Sequence, residues 1–133
     1  MRNIEYETDL CIIGGGMAGL CCGIAAARHG IRVVLIHDRP VLGGNASSEI
    51  RMWVCGCHGK DNRESGIIEE IMLENFYQNS ALKFPLWDSV LYQKAKAEEN
   101  LTLLVNTSCF DCKAEDGRIQ SDRAWQSYAE TFH

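Results

Sequence analysis

The sequence contains no run of Lys or Arg, and its charge balance is acidic. Its 13 Lys plus Arg stand against 18 Asp plus Glu, which gives a formal net charge of -5 and a pI near 5.3. Nucleic acids and anionic membranes require clustered positive charge, so neither partner is expected. No stretch approaches the roughly 20 apolar residues of a membrane-spanning helix, and the N-terminus lacks the apolar segment of a secretory signal. We therefore expect a cytoplasmic protein.

The chain also lacks the length for two full domains and the cysteine pattern of a disulfide-stabilised fold. Its 133 residues are enough for one domain with one sizeable core. The seven cysteines are an odd number and are scattered along the chain. We expect them to be reduced thiols. No internal repeat or low-complexity segment is present.

The first 38 residues carry the clearest secondary-structure pattern. Residues 9–13 are a short apolar run that ends at three glycines, which is typical of a buried parallel strand. Residues 17–29 favour a helix that Gly30 terminates, and residues 32–36 form a second β-branched run. A strand, helix and strand with a short return predict a right-handed crossover, so residues 8–38 are a βαβ unit.

Residues 39–99 are predicted to form an insertion made of an irregular loop and two helices. About two dozen residues after Asp38 show little periodicity, which is typical of a functional loop. Ser65 is positioned to cap the first helix, and Asp88 to cap a second helix that ends near Glu99. The apolar residues expected to share a face are Ile67, Ile68, Ile71, Met72 and Phe76 in the first helix, and Val90, Leu91 and Ala95 in the second.

Residues 100–133 are predicted to contain a third strand and a hairpin. The apolar run at residues 101–105 is the strand, and a turn at residues 115–117 joins the two arms of an antiparallel hairpin that ends near residue 126. The whole pattern predicts an α/β fold: a Rossmann-like βαβ unit with a parallel sheet, a helical insertion and a hairpin near the C-terminus.

The most informative motif is Gly-Gly-Gly-Met-Ala-Gly at residues 14–19, here called the glycine turn. It matches G-x-G-x-x-G and lies between the first strand and the first helix. Gly14 permits a tight turn, and Gly16 lets a pyrophosphate approach the backbone, while Gly19 and Gly23 let the helix lie close to the sheet. The helix N-terminus offers unpaired N–H groups and a positive dipole end, so a diphosphate can bind without Lys or Arg.

A ribose-binding acid is expected about 20 residues after such a turn, at the end of the second strand. Asp38 lies 19 residues after Gly19 and fits this spacing. His37, however, occupies the position directly after the apolar run, where the acid ordinarily stands. The sequence leaves open which of the two contacts the ribose, and whether both are solvated residues at a strand end.

The segment after the second strand favours FAD over NAD. A plain nicotinamide-binding domain reaches its third strand through a short helix, whereas about 64 residues separate Ile36 from Leu101 here. Gly43 and Gly44 in this insertion would permit another close approach of backbone to ligand. An NAD-binding Rossmann domain remains the alternative.

These motifs together resemble the N-terminal part of bacterial FAD-dependent oxidoreductases, which have the FAD/NAD(P)-binding fold of glutathione-reductase-like flavoproteins. The resemblance extends from about Thr8 to Gln126 and includes a Leu-Gly-Gly-Asn loop at residues 42–45 and an Arg-Glu-x-Gly-Ile segment at residues 63–67. It implies a flavoprotein oxidoreductase that acts on a small metabolite. The residues that it implies for FAD binding are Gly14, Gly16, Met17, Ala18, Gly19, His37, Asp38, Arg39, Gly43, Gly44, Asn45, Ala46, Ser47 and Cys109.

Members of this family continue for several hundred residues, through a Gly-Asp motif near the ribityl chain and a substrate domain. Neither feature occurs in residues 1–133. The resemblance therefore implies the N-terminal part of an FAD-binding domain, which we do not expect to turn over substrate alone.

Two residues are candidates for substrate chemistry. Arg51 could clamp an anion or a carbonyl, and His58 could act as a general base, because both lie in or beside the loop expected to pass the flavin. Each also has a plain alternative: Arg51 as an ion-paired residue and His58 as a surface residue.

The cysteines offer a further alternative, a non-catalytic zinc or thiol module. Cys55, Cys57 and His58, with Cys109 and Cys112, include good zinc ligands and a possible redox dithiol. However, the Cys-x-Cys spacing is uncommon in zinc sites, and alternating side-chain directions along a strand should separate Cys109 from Cys112. The favoured interpretation has no metal.

Overall fold

The computed structural model describes residues 3–56, 60 and 64–127 of the chain. No helix in these described ranges is long and apolar enough to cross a membrane. The elements in chain order are β1 (Leu10–Ile13), α1 (Met17–Arg28), β2 (Val33–Ile36), a 3₁₀ turn (Gly44–Ala46), α2 (Ile67–Gln78), α3 (Phe84–Lys96), β3 (Leu101–Leu104), β4 (Thr107–Glu115) and β5 (Arg118–Gln126).

The first three strands form a parallel sheet in the order β1-β2-β3. β2 is the central strand: Val33 pairs with Leu10 on one side and with Leu101 on the other, and all four residues of β2 are buried. β4 and β5 form a separate antiparallel hairpin. The predicted α/β fold with its parallel sheet and C-terminal hairpin is confirmed.

The hydrophobic core lies where the three helices meet one another and the sheet. α1 contacts all three parallel strands and both other helices, so it is the central helix of this layer. Burial of apolar side chains between helix and sheet is the main stabilising term of such a layer. The core residues are Leu20, Ile24, Ala27, Val33, Leu35, Leu42, Ile71, Trp87, Val90, Leu91, Ala95 and Leu101.

Both predicted helix caps are wrong. α2 has Gly66 as its N-cap residue and no side-chain hydrogen bond there, so Ser65 does not cap it. α3 begins at Phe84 with Pro85 in its first turn, where the fixed φ of proline suits a helix start. Asp88 therefore lies inside α3 and is buried, and its carboxylate bonds elsewhere.

The buried face of α2 also differs from the prediction. Phe76 is 56% exposed, whereas Asn75 and Asn79 are buried. The Asn79 side-chain amide donates to Asn75 Oδ1 and to the Lys83 carbonyl, both at 2.9 Å, and its Oδ1 accepts the Lys83 N–H at 2.8 Å. These hydrogen bonds join the end of α2 to the start of α3. The path of the chain between the two helices is therefore fixed by polar contacts, which a pattern of apolar residues in the sequence does not reveal.

An irregularity in β4 brings together two cysteines that were predicted to diverge. Cys109 pairs with Ala124 and Cys112 pairs with Asp122, so residues three apart on β4 oppose residues two apart on β5. The extra residue is a β-bulge. Because residues two apart on a strand share a face, Cys109 and Cys112 also share one.

Candidate functional site

The glycine turn connects the carboxyl end of β1 to α1 and leaves open space beside two of its residues. Gly14 has a φ of +115°, and its N–H donates to the Ile36 carbonyl at the end of β2, at 2.8 Å. A Cβ atom built at Gly14 or at Gly16 would have no heavy atom within 4 Å. A ligand could therefore approach the backbone at these two positions.

The N-terminus of α1 supplies backbone donors next to this space. The first helical bond runs from the Leu20 N–H to the Gly16 carbonyl at 2.9 Å, so the preceding N–H groups have no acceptor within the helix. No side chain caps α1, and no acidic residue lies in its first turn. Uncapped N–H groups at the positive end of a helix dipole are suited to a diphosphate. The turn therefore fits the group that FAD would place there.

Gly19 and Gly23 set the distance between α1 and the sheet. A Cβ at Gly19 would overlap the Gly14 carbonyl, and a Cβ at Gly23 would lie 3.0 Å from Leu101 Cδ1 on β3. A larger residue at Gly19 would push α1 away from the strands because it meets backbone, whereas at Gly23 the Leu101 side chain would have to shift. The close packing predicted for these two glycines is confirmed.

His37 follows β2, is 7% exposed, and uses both of its ring nitrogens within the protein. The Gly15 N–H donates to Nδ1 at 3.1 Å, and Nε2 lies 3.0 Å from the Val41 carbonyl oxygen. Because Nδ1 accepts the hydrogen bond from Gly15 and the Val41 carbonyl can only accept one, this arrangement requires a neutral imidazole with its proton on Nε2. His37 thus joins the glycine turn to the loop that follows β2.

Gly15 is a site residue that sequence reasoning missed. It occupies a variable position of the G-x-G-x-x-G motif, yet a Cβ there would lie 2.6 Å from Leu42 Cδ2 and 2.8 Å from His37 Cγ. Only a residue without a side chain lets Leu42 and His37 pack against the turn. The signal in the sequence was the run of three consecutive glycines, because the motif requires only the first and the last of them.

Asp38 and Arg39 are more exposed than His37. The Asp38 side chain is 64% exposed, and its Oδ1 lies 3.5 Å from His37 Nδ1. Arg39 Nη1 lies 3.8 Å from Glu49 Oε1, in an exposed ion pair. Of the two residues predicted as alternatives for the ribose, Asp38 is the one whose polar atoms are accessible to a ligand.

Residues 43–47, here called the Gly-Gly loop, pack directly against the glycine turn. Gly43 forms an isolated parallel bridge with Gly16. A Cβ at Gly43 would lie 2.7 Å from Leu91 Cδ1, and a Cβ at Gly44 would lie 3.2 Å from Gly16 Cα. The close approach that these glycines permit is an approach to the protein itself.

The remainder of the Gly-Gly loop is partly buried. Asn45 is exposed, whereas Ala46 and Ser47 are 5% and 1% exposed. The next residue, Ser48, donates its N–H to Asp88 Oδ1 on α3 at 2.9 Å. Asp88, predicted as a helix cap, instead anchors this loop to the core helix.

The predicted catalytic pair falls only partly within the described residues. Arg51 is exposed, has a φ of +65°, and donates from Nε to the Ser48 carbonyl at 3.1 Å. His58 and Cys57 lie outside the described residues, and so does Arg63 of the Arg-Glu-x-Gly-Ile segment. Across the part of the chain that the structure describes, no three His, Cys, Asp or Glu residues are arranged to hold a metal ion.

Cys109 lies near the start of the hairpin, close to the end of β2. Thr107, two residues earlier, donates its N–H to the His37 carbonyl at 2.9 Å. Nearby, burial raises the pKa of the Cys11 thiol to about 11, and a hydrogen bond to the Asp122 carboxylate adds to this rise. A thiol with so high a pKa is protonated at neutral pH and is a poor nucleophile.

Comparisons of sequence identify the family and several relatives of this chain. Residues 9–132 match the model of the FAD dependent oxidoreductase family. Glycerol-3-phosphate dehydrogenase from Mycobacterium leprae is 32% identical over 68 residues, which are 51% of this chain and 12% of that enzyme. Soluble pyridine nucleotide transhydrogenase from Hahella chejuensis is 44% identical over 43 residues, which are 32% of this chain and 9% of that protein.

Comparisons of structure show the same fold at low sequence identity. THI4 from Thermovibrio ammonificans has a TM-score of 0.55 and 20% identity over 90% of this chain and 48% of its own. Aklavinone-11 hydroxylase, solved in a ternary complex with FAD and aklavinone, has a TM-score of 0.50 and 17% identity over 94% of this chain and 31% of its own. The chain therefore spans less than half of each of these relatives. Because the family match covers nearly the whole sequence, the chain belongs to the FAD-dependent oxidoreductases, flavoproteins whose cofactor is FAD.

Proposed function

We propose that the glycine turn holds the pyrophosphate of FAD and that the whole protein uses this flavin to oxidise or reduce a small metabolite. The observation that carries the proposal is the open space at Gly14 and Gly16 beside the uncapped N-terminus of α1. In this proposal the backbone at Gly16, Met17 and Ala18 binds the pyrophosphate oxygens. FAD, when bound, supplies a ring system that accepts and returns a hydride or electrons.

We assign the adenosine ribose to Asp38 and the adenine to the backbone near Cys109. An exposed carboxylate accepts hydrogen bonds from ribose hydroxyls, whereas both ring nitrogens of His37 are already bonded. The bond from the Thr107 N–H to the His37 carbonyl brings the start of β4 to this end of β2. The nucleoside would then lie between these two segments.

The substrate half of the site remains a prediction. Arg51 is exposed and could reach a ligand, and we keep it with His58 as the candidate substrate-binding and general-base residues. The family match favours FAD over the NAD alternative. The zinc or thiol module has no comparable support.

Calorimetric titration with ADP tests the nucleotide site directly, because ADP carries the diphosphate and the ribose without the flavin. We expect the chain to bind ADP and FAD, and to bind AMP about tenfold more weakly, since AMP lacks the second phosphate. If neither ADP nor FAD binds to the folded chain, the proposed pyrophosphate site is wrong.

The Asp38→Asn variant tests the ribose assignment. We expect it to weaken ADP binding about tenfold, because a charge-assisted hydrogen bond is lost. The loss should be much smaller with 2′-deoxy-ADP, which lacks one of the hydroxyls. Asp116→Asn, in the exposed hairpin turn, is the matched control for net charge. An equal loss of affinity for both nucleotides would contradict the assignment of the ribose to Asp38.

A further inference from the structure

We propose that His37 is a positioning residue: its neutral imidazole holds the glycine turn in the shape that receives the pyrophosphate and does not itself contact the ribose. The proposal rests on the proposed function, because the shape of the turn matters for binding only if a diphosphate binds there. His37 occupies the position after β2 where the sequence pattern predicts a ribose-binding acid, and we give that position a different role.

The backbone of His37 is fixed on both sides. Its N–H donates to the Leu104 carbonyl of β3, and its carbonyl accepts the Thr107 N–H at the start of β4, both at 2.9 Å. These bonds extend the sheet by one residue past β2. The imidazole is therefore attached to a rigid part of the fold, as a positioning group must be.

The imidazole then fixes one of the two polar backbone groups of Gly15, and the Gly-Gly loop fixes the other. The Gly15 N–H donates to His37 Nδ1 at 3.1 Å, and the Gly15 carbonyl accepts the Gly43 N–H at 2.8 Å. With both groups bonded inside the protein, Gly15 is held inward. The open positions of the turn are its two neighbours, Gly14 and Gly16.

The chemistry of this position requires one acceptor and one donor on the same buried group. Nδ1 accepts from Gly15, and Nε2 donates to the Val41 carbonyl at 3.0 Å. A carboxylate has acceptors only, so at this place it would oppose the Val41 carbonyl and bury a charge. A ribose hydroxyl could reach either nitrogen only by displacing one of these two backbone partners.

Three substitutions separate positioning from ribose contact. His37→Gln offers an amide oxygen and an amide N–H, so we expect ADP affinity to stay within about threefold of the wild type. His37→Ala loses both bonds, and we expect a loss of about tenfold or more; we expect His37→Glu to lose at least as much. If His37 stood in for the ribose-binding acid, His37→Glu would bind ADP as well as the wild type or better, which would overturn the proposal.

The choice of nucleotide separates an effect of His37 through the glycine turn from a direct contact with the ribose, while the retained affinity of His37→Gln excludes general damage to the fold. His37→Ala acts through the turn, so we expect it to lower the affinities for ADP and for 2′-deoxy-ADP by the same factor. Asp38→Asn, in contrast, should lower the affinity for ADP more than the affinity for 2′-deoxy-ADP. A loss confined to ADP would assign His37 to the ribose and contradict positioning.

Nitrogen NMR of the ligand-free wild type tests the geometry without any substitution. We expect the His37 imidazole to carry its proton on Nε2, with a hydrogen-bonded Nδ1, and the Gly15 amide to exchange slowly with solvent. A proton on Nδ1 or a fast-exchanging Gly15 amide would overturn the proposal even if every variant failed to fold. If the tautomer is as expected but the wild type binds no ADP, the proposed nucleotide function has failed, while the structural assignment of His37 stands.

Discussion

The glycine turn and the Gly-Gly loop touch each other, yet their glycines serve opposite purposes. At Gly14 and Gly16 an added Cβ would meet open space, whereas at Gly43 it would meet Leu91 Cδ1 at 2.7 Å and at Gly44 the backbone of Gly16 at 3.2 Å. The first pair leaves room for something outside the chain. The second pair leaves room for the chain itself, so the same residue type keeps space open in one place and permits packing in the other.

The largest loss of stability is expected for substitution at Gly43, in the Gly-Gly loop. We expect Gly43→Ala to lower the free energy of unfolding by about 3 kcal/mol or more, because it combines a φ of +105° with the clash against Leu91. Urea denaturation measures the change. Gly30→Ala is the matched control: its φ is +82°, but a Cβ there has no neighbour within 4 Å, so its cost should be only about 1 to 2 kcal/mol.

A double variant isolates the clash at Gly43. In the Leu91→Ala background the Cδ1 atom is absent and only the Ser47 backbone nitrogen, at 3.3 Å, remains close to the added Cβ, so Gly43→Ala should cost clearly less than in the wild type but more than Gly30→Ala. If the two Gly43→Ala penalties are equal, Leu91 is not what requires the glycine.

The converse prediction concerns Gly16, whose substitution should remove the ligand and spare the fold. Its φ of -65° is allowed for any residue. We expect Gly16→Val to weaken ADP binding roughly 100-fold or more and Gly16→Ala to fall between it and the wild type. The free energy of unfolding should change by no more than about 1 kcal/mol.

Ala114→Val places the same isopropyl side chain at an exposed strand position and should leave ADP binding unchanged. Unaltered affinity in a folded Gly16→Val protein would place the diphosphate elsewhere.

The next prediction concerns the hydrogen bond between Ser48 and Asp88, which holds the Gly-Gly loop against α3. Asp88→Ala leaves the Ser48 N–H without its 2.9 Å acceptor, and we expect a loss of about 2 kcal/mol in the free energy of unfolding. Asp88→Asn keeps a neutral acceptor and should lose about half as much. Ser89→Ala, which removes an exposed side-chain bond to Pro85 on the same helix, is the control. Equal stability of the Ala and Asn variants would mean that this acceptor contributes nothing.

The smallest effect is expected at Glu70, which links α2 to α1 and α3. Hydrogen bonds from Arg28 and then from Lys94 lower the pKa of the Glu70 carboxyl from 4.5 to about 2. Its side chain is 39% exposed, so we expect Glu70→Gln to cost only about 0.5 to 1 kcal/mol at neutral pH.

A lowered carboxyl pKa stabilises the fold above the pKa of the unfolded state. The difference between wild type and Glu70→Gln should therefore be complete above about pH 5 and disappear as the pH falls from 4.5 towards 2. The exposed Glu99→Gln is the control. A difference that persists at pH 2 would contradict the electrostatic origin.

Local patterns predicted the parallel strands, α1 and the hairpin, because each depends on its own apolar run, glycine or turn residues. They failed where a distant partner decides the structure. Asp88 has the composition of a cap but bonds to Ser48, and Asn79, a polar residue, is buried because Lys83 and Asn75 satisfy its amide. The same limit applies at the candidate site, where the spacing of Asp38 was readable but the two backbone partners of His37 were not.

The contact between Gly15 and His37 makes the two positions, 22 residues apart, genetically dependent on each other. The φ of Gly15 lies outside the left-handed region, so alanine is excluded there by the imidazole and Leu42 rather than by the backbone. Substitutions at the two positions should therefore show sign epistasis: alanine at residue 15 becomes tolerable once residue 37 is smaller and the Leu42 side chain has shifted. In variant libraries of this protein, the middle glycine should change only together with the histidine.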